Sequence, residues 1–71
     1  MPTKTLRFPN AVGDEDLDRI ENALRQLAGV RDVTMERPTK EATIRWEAPT
    51  SRGEVERAVR DLGYTPEDIA P

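Results

Sequence analysis

The chain has 71 residues, no Cys and no His, 11 Lys or Arg against 14 Asp or Glu, and a formal net charge of −3. That composition excludes a disulfide framework and a zinc site built from Cys and His, and it offers no cationic excess for a nucleic-acid backbone. No apolar run approaches the length of a membrane span, and Met1-Pro2-Thr3-Lys4 leads into no apolar stretch of the secretory kind. The expectation is a cytoplasmic protein that binds no nucleic acid and enters no membrane.

A chain this short buries only about 60% of the surface it exposes when unfolded. Without staples, its apolar pattern must carry the fold alone. Lys4-Thr5-Leu6-Arg7-Phe8 alternates polar and apolar, with Leu6 and Phe8 on one face, and reads as a first strand that Pro9 ends. Residues 10–13 form a loop. Asp14 is the expected N-cap of a helix, with Glu15 and Asp16 in its first turn, where negative charge suits the helix dipole. Leu17, Ile20, Leu24 and Leu27 fall on one helical stripe. Glu15–Arg19 and Glu21–Arg25 are spaced i, i+4 with the acid first, the favourable order. Gly29 stands where a left-handed C-terminal cap is expected.

Residues 30–36 predict a second strand with Val33 and Met35 inward, and Arg37-Pro38-Thr39-Lys40 a turn. Residues 41–47 give a third strand, with Ala42, Ile44 and Trp46 on one face and Trp46 partly in the core. Ser51 and Glu54 match a capping box. Val55, Ala58, Val59 and Leu62 form the stripe of the second helix, and Gly63 caps it. Tyr64-Thr65 starts a short fourth strand before Pro66, and residues 67–71 form a loose tail in which Ile69 reaches the core.

The order βαββαβ predicts an α+β fold: a two-layer sandwich with two helices on one face of a four-stranded antiparallel sheet. It occupies a single domain over residues 1–71, with an ordered core of about 3–66. The open sheet face carries Thr5, Arg7, Asp32, Thr34, Thr43 and Arg45. It lacks the aromatic residues that RNA-binding sheets of this topology use for stacking.

Four local patterns resemble the heavy-metal-associated, copper-chaperone-like domain family, a ferredoxin-like fold. They are the strand Thr5-Leu6-Arg7-Phe8, Ile20-Glu21-Asn22-Ala23-Leu24 on the first helix, Leu27-Ala28-Gly29-Val30-Arg31-Asp32-Val33 into the second strand, and Leu62-Gly63-Tyr64 at the exit of the second helix. The resemblance implies a metal loop of the form M-x-C-x-x-C between the first strand and the first helix. Counted back from Ile20, its methionine position is Ala11 and its cysteine positions are Gly13 and Asp16. All three positions differ from the motif. Cu(I) is soft and selects sulfur, so Cu(I) binding by cysteine is excluded here. The chain resembles a degenerate member that keeps the fold and the loop without the ligands.

The acidic run at Asp14, Glu15 and Asp16 has two readings. It can be a weak oxygen-ligand site for a harder divalent cation. Alternatively, it caps a helix, since neighbouring helical side chains splay by about 100°. Met1 and Met35 hold the chain's sulfur atoms, and Met35 on an inward strand face is a core filler. By the resemblance, Tyr64 matches an aromatic position near the metal loop, with its hydroxyl reaching the surface. No Gly-rich loop, Cys, His or buried acid pair supports catalysis. The reading is a non-catalytic binding domain, monomeric or weakly dimeric, without a cofactor. By the resemblance, its partner is a protein such as a metal-transport ATPase or a related domain.

Overall fold

The computed structural model describes residues 2–69. Met1 and the last two residues of the expected tail lie outside them. The elements are β1 (Thr3–Arg7), α1 (Asp14–Arg25), β2 (Val30–Glu36), β3 (Glu41–Trp46), α2 (Arg52–Asp61) and β4 (Glu67–Ile69). The sheet runs β2-β3-β1-β4, and every neighbouring pair is antiparallel. The expected α+β sandwich is the observed one.

The alternating strands and the helix stripes meet in one core. Leu6 from β1 and Phe8 just past its end, Leu17, Ile20 and Leu24 from α1, Ala42, Ile44 and Trp46 from β3, and Val55 and Val59 from α2 are all buried. Leu27, Val30, Met35 and Ala58 pack against this cluster. Strand alternation counted from Val33 would place Val30 outside. A bulge prevents that: pairing passes from Val30 opposite Trp46 to Asp32 opposite Arg45, leaving Arg31 unpaired. On the edge strand β2, the Arg25 guanidinium donates to the Val33 carbonyl at 2.9 Å.

Four expectations need correction. The fourth strand lies at Glu67–Ile69, within the expected tail, and pairs with Thr5–Arg7 of β1. Its Asp68 forms ion pairs with Lys4 and Arg52, so charge pairing holds a strand whose sequence carries little apolar signal. Leu62 is the C-cap of α2 and is 43% exposed, because the helix ends before the stripe's last position. Leu27 likewise lies beyond α1, which ends at Arg25 with Gln26 as its C-cap. Gly29 is therefore no helix cap. Its constraint is space: a Cβ there would lie 1.9 Å from the Glu47 carbonyl oxygen and 2.8 Å from Thr50 Cβ. The Gly29 amide donates to the buried Thr50 hydroxyl at 2.8 Å, and the Gly29 carbonyl accepts from Glu47 at 2.8 Å. The Gly63 cap holds, with φ +97°.

Candidate functional site

The loop between β1 and α1 begins inside the core. Ala11 is buried, and its amide donates to the Phe8 carbonyl at 3.0 Å. Val12 then turns fully outward, 86% exposed. Gly13 is the N-cap of α1, with extended backbone and no side chain to offer. Asp14 is thus the first helical residue rather than the cap. The capping role falls to Asp16, two residues later. Its carboxylate reaches back and accepts from the Val12 amide at 2.8 Å, much as the second half of a capping box does.

The three acids proposed as a cation site do not converge. Asp16 turns to the Val12 amide, and that hydrogen bond, helped by the Tyr64 hydroxyl and by Arg19, holds its carboxyl below the usual carboxylate range. Asp14 turns to Arg37 on the β2–β3 turn, at 3.4 Å. Glu15 points to Arg19, at 3.9 Å. Among the described residues, no group of three or more carboxylates, thiols or imidazoles is placed to hold a metal ion. At the family's ligand positions stand a glycine without a donor and a hard carboxylate bonded to the backbone. This donor set does not fit Cu(I), which selects sulfur.

The side chains that organise the loop come from elsewhere. Arg37 donates to Asp18 at 2.7 Å and also lies 3.9 Å from Glu21, so one guanidinium gathers three acids of α1. Asn10 bridges two loops. Its amide nitrogen donates to the Gly63 carbonyl at 3.2 Å, and its amide oxygen accepts from the Thr65 amide at 3.2 Å. Tyr64, between those two contacts, packs its ring in the core. The neighbouring Asp16 carboxylate and burial both raise the pKa of its hydroxyl. Sequence reasoning missed Asn10 and Arg37, since both act across the fold on residues far away in the chain.

Solved structures with the same architecture fit this geometry closely. Oxidized MerP from Ralstonia metallidurans CH34 superposes with a TM-score of 0.88 at 24% identity, over 97% of each chain. The chain has the heavy-metal-associated fold. The N-terminal domain of PacS from Synechocystis PCC6803 gives 0.84 at 18% identity, over 99% of this chain and 100% of that one. A copper binding domain from HMA7, a P-type ATPase, gives 0.87 at 15% identity, over 99% and 96%. In sequence, 48 residues, or 68% of the chain, are 38% identical to Copper-transporting ATPase 1 of Rhizobium meliloti (strain 1021). The match covers only 6% of the length of that ATPase. No protein-family model matches the chain. The heavy-metal-associated fold is thus present with the loop in place and no sulfur donor at Ala11, Gly13 or Asp16. Among the described residues, no helix is long and apolar enough to cross a membrane.

Proposed function

We propose that this domain is a non-catalytic interaction module of metal homeostasis. It docks on a metal-transport ATPase or a related domain through residues 10–16 and the adjoining helix faces. It carries no thiolate-bound metal and works in the cytoplasm, as a monomer or a weak dimer. One observation carries the reading. Asp14, Glu15 and Asp16 each face a partner of their own, Arg37, Arg19 and the Val12 amide, so the loop takes its shape from internal contacts rather than from an ion. The sequence match to a copper-transporting ATPase supports the setting.

The competing reading is a hard-cation site at Asp14, Glu15 and Asp16. Metal titration followed by amide NMR separates the two. With Ca2+, Zn2+ or Cu+, no shift is expected below millimolar metal. Shifts confined to residues 10–18 and saturating at micromolar metal would overturn the interaction reading. Titration with the soluble metal-binding domain of a copper-transporting ATPase from the same organism is the positive arm. It should move the amide signals of residues 10–16.

A further inference from the structure

Leu27, just past the end of α1, and one side of α2 enclose an open cleft of about 200 Å³, lined by Leu27, Glu54, Arg57, Ala58 and Asp61. Leu27 and Ala58 are half-buried against the core and supply its apolar surface. Glu54, Arg57 and Asp61 are exposed around it. On α2 the lining positions 54, 57, 58 and 61 are spaced i, i+3, i+4 and i+7, a stripe of their own beside the buried Val55 and Val59. Leu27 stands beyond the far end of α1, a helix of 12 residues and so about 18 Å long. It is therefore a helix length away from the loop at residues 10–13.

The charges at this cleft differ from the others on the two helices. Every other charged side chain of α1 and α2 has an opposite charge within 4.0 Å or, at Asp16, a backbone amide. Among the described residues, Glu54, Arg57 and Asp61 have no ion-pair partner. Their order accounts for part of this. Arg57 precedes Asp61 by four residues, base first, which is the weaker arrangement on a helix. The charges that remain available are thus the three that surround one apolar cleft.

The size and the charges select the occupant. Sites for cofactors and drug-sized ligands span roughly 300–1,000 Å³, so this cleft is sized for a side chain. A second copy of α2 does not complement it. Laid antiparallel on the stripe, it sets Glu54 against Asp61; laid parallel, it sets each charge against itself. The complement is a leucine for the cleft, an acid for Arg57, and a lysine or arginine for each of Glu54 and Asp61, which lie about 10 Å apart along α2. We propose that this cleft docks an amphipathic helix of a partner protein, running antiparallel to α2, with cation, leucine, acid and cation at i, i+3, i+4 and i+7. The site lies apart from the docking surface proposed above and does not depend on it.

The probe is an alanine-based helical peptide of about eighteen residues, long enough to hold a helix, carrying lysine, leucine, glutamate and lysine at that spacing. A twin has the three charges reversed. Amide NMR should show the first peptide moving signals at residues 26–28 and 53–62, less so at high salt. The twin should move none of them. Glu54→Gln and Asp61→Asn, both at exposed positions, should each weaken the response by about two- to fivefold. The triple variant Glu54→Lys, Arg57→Glu and Asp61→Lys should exchange the preference, answering the twin and not the first peptide. Shifts centred on residues 10–16, an equal response to both peptides, an unchanged preference in the triple variant, or no response at millimolar peptide would each overturn the proposal. So would shifts at residues 53–62 that follow protein concentration without peptide, since a second copy would then be the occupant. The ATPase-domain titration reads residues 10–16 instead, so the two proposals fail separately.

Discussion

At the scale of single residues, the close contact at Gly29 decides more than any conformational preference. A Cβ 1.9 Å from the Glu47 carbonyl oxygen meets backbone, which cannot swing aside. Gly29→Ala should therefore destabilise the domain by about 3 kcal/mol, read from urea unfolding midpoints. Thr50 is the other half of that contact. Thr50→Val keeps the shape but leaves the Gly29 amide without its acceptor, and should cost about 1–3 kcal/mol. Asp16 gives a pH signature. Its folded-state pKa is depressed, so its contribution is present above the unfolded value of about 4 and is lost as pH falls through the folded value. Asp16→Asn should thus be less stable than the parent at pH 7, and the gap should narrow at about pH 3. Urea midpoints at the two pH values check the sign.

At the scale of elements, the apolar periodicity was legible and the element ends were not. The stripe at Leu17, Ile20 and Leu24 is buried as its spacing required, and so is the alternation at Ala42, Ile44 and Trp46. Leu24→Ala should cost about 2–5 kcal/mol by transfer loss and cavity formation. A loss under about half a kcal/mol in the same unfolding assay would contradict the packing described. The errors fell where long-range contacts set the boundary. Leu27 and Leu62 continue helical stripes but lie past the helix ends; Gly63 marks the second stop, while nothing local marks the first. β4 has a single apolar residue, Ile69, and is recruited by Lys4 and Arg52 through Asp68. The bulge at Arg31 has no glycine to signal it. The site shows the same split. The acidic run was visible in the sequence, but its three separate partners depend on a distant turn and on the backbone of the loop itself.

At the scale of the whole molecule, the fold outlasts its ligand set. A Cβ at Gly13 would meet nothing within 4 Å, and its backbone is extended rather than left-handed. A cysteine is sterically free to stand there. Asp16 lies one helical turn on. The double variant Gly13→Cys with Asp16→Cys should therefore bind Cu(I) that the parent does not, measured by competition with a chromophoric Cu(I) chelator. It should also be less stable than the parent without metal, since the Val12 amide loses its acceptor. Stability and soft-metal affinity would then trade at one position.

The arginine on the edge of the sheet has a consequence for crowded solutions. An unpaired strand edge is a template onto which another chain can add. In β2 the Val33 carbonyl is already occupied by Arg25, and the strand is kinked where Arg31 bulges. A neighbouring molecule seeking to extend the sheet must first displace a guanidinium that α1 and Glu21 hold in place. That side chain acts as an end-stop on the β2 edge of the sheet.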